Sequence, residues 1–322
     1  MQPLQFRSIL KRICWGGTRL GSRLGKQIGT ETDYAESWEL VDHGDDQSIV
    51  TDGPYRGWTL NRLVELKGKE LLGRHAGLKQ FPLLVKFLDA HDRLSLQVHP
   101  NDEQARSYDP NENGKTEAWV IIDAEPASRL YTGLKRGVDR SQLESALAAG
   151  NVEQALHSFP VKPGDCVFIP AGTVHVIGAG ILLTEIQQSS DLTFRLHDWG
   201  RLGTDGQPRT LHITDGLDCT DFNRGPVDPV TTRLVAGESH PVEELVRCDD
   251  FVIHRHQTGK PFTMDADGRF HVLMMIGGHA EFVCSDERRQ MGPGSTVLLP
   301  ASAPKTQIIP EDEIILLESF LP

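Results

Sequence analysis

The sequence predicts a mainly β protein that contains two β-barrels and a few helices. Short runs rich in Val, Ile, Leu and Phe recur along the whole chain, often bracketed by Gly or Pro, whereas helical periodicity is rarer. Residues 163–172 (PGDCVFIPAG) also resemble residues 293–302 (PGSTVLLPAS), and each copy indicates a turn, a short strand and a second turn. Such a repeat indicates two copies of one β-barrel unit.

The basic and apolar N-terminus, residues 6–13, predicts a first strand rather than a targeting segment, because its charges interrupt any signal-peptide core. Further apolar runs predict strands over 83–88, 94–98, 118–122, 165–169, 180–186, 251–256, 272–276, 295–299 and 314–318.

Helices are predicted at two places. Leu60, Leu63, Val64 and Leu71 lie at helical spacing within 59–72, and Gly73 is placed to end that helix. A second helix is expected over 141–149, closed by Gly150, after which Asn151 would N-cap a short helix to about His157.

Residues 223–229 (NRGPVDP) carry two prolines and a glycine between patterned regions. We therefore expect a domain boundary there, with a first domain of residues 1–226 that includes the helices and a second of residues 227–322.

Composition excludes several classes of function. A formal net charge of −12 argues against broad nucleic-acid binding, and no apolar run approaches the roughly 20 residues that span a bilayer. An anionic ligand would need a local basic cluster. The five cysteines are far apart and odd in number, which fits reduced thiols and a cytoplasmic location.

The side chains best suited to a metal are those of Gln97, His99, Glu117 and His175. Gln97 and His99 are two residues apart, so on a strand they point to the same face. Two imidazoles, a carboxylate and an amide oxygen form a nitrogen and oxygen ligand set suited to a metal ion.

A family resemblance appears in the first repeat. Gly164-x5-Pro170-x-Gly172-x2-His175 resembles the second motif of cupins, although Ala179 replaces its terminal Asn. Cupins are small antiparallel jelly-roll barrels that often hold a metal on imidazoles and a carboxylate. Their first motif begins with His-x-His and has Glu a few residues later. Here Gln97 takes the first position and Glu117 comes 18 residues after His99.

Longer stretches narrow the resemblance to the short bacterial form of type I mannose-6-phosphate isomerases. They include residues 15–17 (WGG), 36–39 (ESWE), 81–86 (FPLLVK), 94–105 (LSLQVHPNDEQA), 114–119 (GKTEAW), 185–191 (EIQQSSD) and 194–201 (FRLHDWGR). Because these motifs occur in order over most of residues 12–201, the resemblance covers the predicted first domain and weakens beyond about residue 215.

The resemblance implies a reversible isomerisation of D-mannose 6-phosphate and D-fructose 6-phosphate through a cis-enediol. It also implies one zinc ion per chain, held by the residues that match Gln97, His99, Glu117 and His175. Whether Gln97 coordinates directly is left open, because a neutral amide oxygen binds weakly. We expect a small sugar phosphate as partner, neither nucleic acid nor membrane, and a monomer or homodimer.

Four basic residues are candidates for the chemistry. Lys86 alternates with Val85 and Phe87, so it points away from them, and Lys115 precedes Glu117 by two residues. In the family, the match to Arg195 is catalytic, and the matches to Lys86 and Lys115 act in catalysis or substrate binding.

Arg195 and Arg201 carry fixed positive charge suited to a phosphate or a developing enediolate. Glu185 is a further candidate for substrate contact and for the base, which the sequence does not identify.

Two alternatives remain. Two His and one carboxylate also form the Fe(II) triad of cupin oxygenases, and a cupin can bind sugar without catalysis. The second repeat has Lys305 where the first has His175, so we expect a degenerate, metal-free second barrel. His254 and His256 are interpreted as parts of an ordinary strand.

Overall fold

The computed structural model describes residues 1–203, 206–237, 239–285 and 287–322. The strands of its first half are β1 Phe6–Arg7, β2 Ile9–Gly17, β3 Tyr34–Leu40, β4 Asp42–His43, β5 Asp46–Gln47, β6 Ile49–Val50, β7 Leu83–Ala90, β8 Leu96–Val98, β9 Glu117–Ala124, β10 Arg129–Leu134, β11 Leu156–Pro160, β12 Cys166–Ile169, β13 His175–Ile177, β14 Ile181–Gln188 and β15 Phe194–His197. Those that follow are β16 Arg233–Leu234, β17 Val242–Arg247, β18 Val252–Thr258, β19 Phe262–Met264, β20 His271–Gly277, β21 Ala280–Cys284, β22 Glu287–Met291, β23 Thr296–Leu299, β24 Thr306–Pro310 and β25 Ile314–Phe320.

The α-helices are α1 Arg19–Ser22, α2 Leu60–Leu72, α3 Asp102–Tyr108, α4 Arg140–Ala148 and α5 Ile213–Cys219. Short 3-10 helices cover Gly53–Tyr55, Gly73–His75 and Val152–Ala155. Among the described residues, none of these helices has the length and apolar character needed to cross a membrane.

Two barrels repeat one topology. In the first, a six-stranded sheet β12-β9-β14-β7-β3-β2 faces a five-stranded sheet β11-β10-β13-β8-β15. The second has a six-stranded sheet β23-β20-β25-β18-β17-β16 and a four-stranded sheet β22-β21-β24-β19. Each strand from β7 to β14 therefore has a counterpart from β18 to β25 at the same place in its sheet. The internal repeat seen in the sequence is the pair β12 and β23 with their flanking turns.

The two six-stranded sheets share a hydrophobic core between the barrels. Alternate residues of each strand point either into their own barrel or toward the other one. Val85 and Phe87 of β7 belong to the shared core, together with Ile253 of β18 and Met274 of β20. Lys86, between the two β7 residues, consequently points into the first barrel, as its alternation predicts.

The predicted strands after the N-terminus are all present, with ends that shift by at most two residues. Helix α2 is also confirmed: the Thr59 hydroxyl accepts a hydrogen bond from the Arg62 amide, and Gly73 ends the helix at φ 58°. Helix α4 lies one residue earlier than predicted, because Asp139 caps it.

Other predictions about the elements need correction. The N-terminal strand is broken at Ser8 into β1 and β2. The helix expected from Asn151 to about His157 is a 3-10 turn over Val152–Ala155, since the chain then joins the sheet as β11. Helix α3, directly after the Gln97–His99 segment, was not predicted.

The domain division at 226/227 stays a prediction. The segment before β16 packs on the first barrel, where the Val227 amide donates to the Thr132 carbonyl and the Val230 amide to the Cys166 carbonyl. The first strand of the second barrel is β16, which begins at Arg233.

Candidate metal centre

Facing sheets of the first barrel bring three ligand-capable side chains together. His175 begins β13, His99 follows β8, and Glu117 begins β9 in the opposite sheet. The ligand atoms of these three residues lie within 4.8 Å of one another, and all three side chains are buried. Gln97 lies beside them, since it pairs directly with His175 across β8 and β13.

Hydrogen bonds fix both imidazoles with Nε2 toward the group. Nδ1 of His99 is 3.0 Å from the Leu192 carbonyl, and Nδ1 of His175 is 2.8 Å from the Thr173 carbonyl. Because a carbonyl only accepts, each Nδ1 carries the proton and each Nε2 keeps its lone pair. This is the tautomer that a metal ligand requires.

Glu117 supplies the negative charge. Its carboxylate oxygens lie 3.6 Å from Nε2 of His99 and 3.4 Å from Nε2 of His175, and neither oxygen accepts a hydrogen bond from a described residue. Nζ of Lys115 approaches one oxygen at 3.1 Å. Burial raises the pKa of Glu117 to about 7 against the opposing effect of Lys115. A buried carboxylate without hydrogen bonds is an expected feature of a metal ligand.

Burial also disfavours protonation of the imidazoles. It lowers the pKa of His175 to about 4 and, helped by the charge of Lys115, holds that of His99 well below its ordinary value. Neutral imidazoles and a carboxylate, with no cysteine among the clustered residues, fit a cation that accepts nitrogen and oxygen ligands.

Gln97 lies where a fourth metal ligand was predicted. Direct coordination of the metal by its side chain stays a prediction. Its amide nitrogen lies 3.2 Å from Nε2 of His175, and its amide oxygen accepts from the Ser95 hydroxyl at 3.4 Å.

A polar cavity of about 280 Å³ borders the metal group through Gln97 and Lys115. Its lining comprises Ile13, Trp15, Glu36, Lys86, Leu88, Leu94, Ser95, Gln97, Lys115, Glu185, Asp191, Thr193, Arg195 and Arg209. The predicted residues Lys86, Lys115, Glu185 and Arg195 are thus brought together in one place, although the sequence separates them widely.

Lys86 is buried between two carboxylates. Its Nζ lies 3.5 Å from Glu36 and 3.4 Å from Glu185, and 4.7 Å from the centre of the Trp38 ring. Burial alone would lower the pKa of Lys86, but the charges of Glu36 and Glu185 raise it above the ordinary value. Lys86 is therefore a cation at neutral pH, which favours binding or proton donation over the role of a base.

Glu185 is an ionised carboxylate in the same network. It accepts a hydrogen bond from Nε1 of Trp119 at 2.9 Å and lies 4.0 Å from Nζ of Lys115. Burial would raise the pKa of Glu185, but Lys115 and Lys86 lower it below the ordinary value.

The structure distinguishes the two predicted arginines. Arg195 lines the cavity, where its Nη1 donates to the Thr210 carbonyl and its buried Nε has no hydrogen-bond partner among the described residues. Arg201 is not part of the lining. It binds the Asp198 carboxylate at 2.6 Å and donates to the Arg93 carbonyl, so its predicted substrate contact remains a prediction without geometric support.

Five polar residues of the cavity were not predicted from the sequence: Glu36, Ser95, Asp191, Thr193 and Arg209. Arg209 lies in an irregular segment after β15, outside every predicted strand and helix. No sequence pattern therefore indicated that its side chain reaches the cavity. Glu36 lies in β3, a strand that was not among those predicted from the sequence, so the face to which its side chain points was not predicted either.

The second barrel has a polar cluster of its own. Strand pairing places His254, His271 and Glu318 at the positions that Lys86, Glu117 and Glu185 take in the first barrel. Here the histidines surround a carboxylate: Nδ1 of His271 is 2.6 Å, Nε2 of His256 is 2.9 Å and Nδ1 of His254 is 3.5 Å from Glu318. We name these four residues the histidine cage. Lys305 points elsewhere and is largely exposed beside Asp265.

Comparison with known proteins identifies the family. The family phosphomannose isomerase type I, catalytic domain, matches residues 3–131. Mannose-6-phosphate isomerase ManA of Bacillus subtilis is 33% identical over 299 residues, which are 93% of this chain and 93% of that protein. The mannose-6-phosphate isomerase of Streptococcus mutans is 32% identical over 314 residues, or 98% of this chain and 97% of that protein. The chain belongs to the type I phosphomannose isomerase family.

Solved structures agree with the fold. The mannose 6-phosphate isomerase from Bacillus subtilis superimposes with a TM-score of 0.91 at 29% identity and covers 99% of each chain. A variant of the phosphomannose isomerase from Salmonella typhimurium, 14% identical, has a TM-score of 0.78 and supports the fold alone. The predicted mainly β fold with cupin-type barrels, the predicted aldose–ketose isomerase class and the need for a metal are thereby confirmed.

Proposed function

We propose that this chain interconverts D-mannose 6-phosphate and D-fructose 6-phosphate through a cis-enediol at a zinc site. The observation that carries the proposal is the buried His99–Glu117–His175 group bordering a cavity lined by Lys86, Lys115 and Arg195. The reaction moves a proton between two adjacent carbons and develops negative charge on the two oxygens bound to them. A metal site and fixed cations beside one cavity match those needs.

We propose zinc, one ion per chain, on His99, Glu117 and His175, with Gln97 as a fourth ligand. Two neutral imidazoles and a carboxylate are a common ligand set for catalytic zinc. Bound zinc would supply Lewis-acid polarisation of substrate oxygens without a change of oxidation state.

The chain's own residues divide the remaining work. Arg195, permanently charged and beside Gln97 on the adjacent strand, would stabilise the developing anion. Glu185 is an ionised carboxylate in the cavity wall and is our candidate for the base that moves the proton between carbons. Lys86 and Lys115 would bind substrate oxygens and supply protons.

The cavity disfavours the alternative functions. Four cationic side chains line it, Lys86, Lys115, Arg195 and Arg209, and an Fe(II) oxygenase has no general need for such a set. A sugar-binding cupin without catalysis would need neither the metal group nor a carboxylate such as Glu185 buried between two lysines. We further propose a cytoplasmic location, because the five cysteines are unpaired.

A coupled assay for fructose 6-phosphate formed from mannose 6-phosphate tests the proposal. The purified chain should turn over mannose 6-phosphate, lose activity with a strong chelator and regain it with zinc. Metal analysis of protein purified without added metal distinguishes zinc from iron. Absence of activity with zinc bound, or activity that resists complete metal removal, would overturn the proposal.

A further inference from the structure

We propose that Arg209, held in place by Asp198, binds the phosphate group of the substrate. This inference rests on the proposed function, because it assigns the anionic end of the sugar phosphate to one side chain. The sequence offered Arg201 for a role of this kind, and the structure favours Arg209.

The segment that carries Arg209 runs beside Arg195. The Thr210 carbonyl accepts from Nη1 of Arg195 at 2.9 Å, and the His212 amide donates to the Arg195 carbonyl at 2.7 Å. These bonds bring the two guanidinium groups to the same cavity, and both residues line it. The proximity of Arg209 contributes to a lowered pKa of Arg195, after the larger effect of burial.

Asp198 orients Arg209 with a two-point ion pair. Nε of Arg209 donates to one carboxylate oxygen at 2.7 Å and Nη2 to the other at 2.6 Å. Such a pair fixes the plane of the guanidinium and leaves its Nη1 group outside the pair. Asp198 is itself 6% exposed, so its position is set by packing.

Arg201 binds the same carboxylate, and each of its three nitrogens already donates a hydrogen bond to the protein. Its Nη2 donates to Asp198, its Nη1 to the Arg93 carbonyl and its Nε to the Asp198 carbonyl. Asp198 therefore neutralises one of the two arginines and leaves one net positive charge next to Arg195.

The turn that places Asp198 is anchored to the cavity wall. Trp199 has a φ of 60°, which is unfavourable for a bulky residue and persists only where packing enforces it. Nε1 of Trp199 donates to the carbonyl of Leu94, a lining residue, at 2.7 Å, and the Arg93 guanidinium stacks 3.6 Å from the Trp199 ring centre.

Two guanidinium groups that line the cavity side by side are suited to bind an anion. Nε of Arg195 is buried without a hydrogen-bond partner among the described residues, and Arg209 adds a second cation. Because the chain carries a net charge of −12, an anionic ligand must be captured by local charge. Arginine is well suited to bind phosphate oxygens through paired N–H groups.

Equilibrium binding to the zinc-loaded protein tests the assignment without turnover. The ligands are inorganic phosphate and D-mannitol 1-phosphate, an unreactive hexitol phosphate, measured by calorimetry. Arg209→Ala should weaken both at least tenfold, which is about 1.4 kcal/mol. Arg209→Lys should recover part of the loss, because it restores charge without the planar fork. Zinc content should not change.

Arg201→Ala distinguishes the two assignments, because Arg201 shares Asp198 with Arg209. A loss of phosphate binding in Arg201→Ala equal to that in Arg209→Ala would overturn the proposal. Arg140→Ala controls for the loss of one positive charge, since Arg140 makes a 2.7 Å ion pair with Asp218 on α5 and does not line the cavity. It should bind both ligands like the parent.

Kinetics separates this inference from the proposed function. In Arg209→Ala, KM for mannose 6-phosphate should rise at least tenfold with a smaller change in kcat. A parent protein that binds mannitol 1-phosphate but does not isomerise mannose 6-phosphate would remove the function and leave the phosphate site. An active parent with unchanged KM and phosphate affinity in Arg209→Ala would remove the phosphate site and leave the function.

Discussion

At the scale of single residues, Glu117 explains why the first barrel is suited to bind a metal cation. Its carboxylate is fully buried, faces two Nε2 atoms and accepts no hydrogen bond from the described residues. A buried charge is costly unless ions compensate it, and Lys115 approaches only one of the two carboxylate oxygens, at 3.1 Å.

Glu117→Gln should therefore abolish stable metal binding, because the amide keeps the shape of the side chain and removes its charge. Elemental analysis should find less than about one tenth of the parent's zinc after dialysis, a loss typical of a ligand replacement. Glu112→Gln is the matched control, since Glu112 also pairs with a histidine, His43 at 3.0 Å, but lies outside the group. Equal zinc contents in both variants would contradict the assignment of Glu117.

Arg195→Ala should lower kcat by a factor of at least about 10², as expected when a group that stabilises a developing anion is removed. Its zinc content should stay at the parent level, because no hydrogen bond or ion pair among the described residues joins Arg195 to His99, Glu117 or His175. Steady-state kinetics and metal analysis on the same preparation check this. An unchanged kcat would exclude Arg195 from the mechanism, and parallel loss of zinc would make its role structural.

The sequence predicted a site role for individual residues where they belong to a recognisable motif. His99, Glu117 and His175 stand in recognisable stretches, and the structure brings them together. Arg209 and Glu36 were not predictable, because a residue enters the cavity through the register of its strand or the path of its loop. Neither property is visible in one sequence.

At the scale of elements, two helices of the first barrel begin with the same capping box. In α3 the Asn101 side chain accepts from the Gln104 amide and the Gln104 side chain accepts from the Asn101 amide. Asp139 and Gln142 make the same exchange in α4. Only α3 follows a predicted metal ligand, since Asn101 is two residues after His99.

Asn101→Ala and Asp139→Ala should each lower the free energy of unfolding by roughly 1 kcal/mol, the usual effect of losing an N-cap. Only Asn101→Ala should also weaken zinc binding by several-fold, because it loosens the segment that holds His99. Urea unfolding and competition with a coloured chelator measure the two effects. Equal zinc affinities in the two variants would show that α3 does not support the metal centre.

Strands and helices were easier to predict from the sequence when more of their residues were apolar. Strands such as β7 and β9 are buried on both faces over most of their length, and six of the eight residues in each are hydrophobic. Helix α3 escaped prediction because it has seven residues and buries only Ala105, so it shows no apolar periodicity. Its Asn101 and Gln104 were the available signal.

At the scale of the whole molecule, the second barrel replaces the first barrel's chemistry with the histidine cage. Burial would raise the pKa of Glu318, but bonds from His254, His256 and His271 hold it well below the ordinary value. Burial would lower the pKa of His271, but Asp267 and Glu318 raise it to about 9. The sequence could not reveal this, because Glu318 is far along the chain from its partners.

The cage should stabilise the chain most between about pH 4.5 and 6.5. The raised pKa of His271 contributes stability that is full below 6.5 and lost as pH rises through 9. The lowered pKa of Glu318 contributes stability that is present above 4.5 and lost in stronger acid.

Glu318→Gln should accordingly lower the free energy of unfolding by about 3 kcal/mol or more near pH 6, and by less above pH 9. Denaturant unfolding at several pH values measures the difference. Glu244→Gln serves as control, because Glu244 faces His254 from β17 at 3.9 Å but binds Arg247. A constant difference between parent and Glu318→Gln from pH 5 to 10 would contradict the charge state assigned to the cage.

The shared core between the six-stranded sheets has a thermodynamic consequence. Because Val85 and Phe87 of one barrel pack in the same core as Ile253 and Met274 of the other, neither barrel can unfold without exposing the other's apolar face. Because the two barrels unfold together, a metal ion bound in the first barrel also stabilises the second. Calorimetry should accordingly record a single cooperative transition, shifted as a whole to lower temperature when zinc is removed.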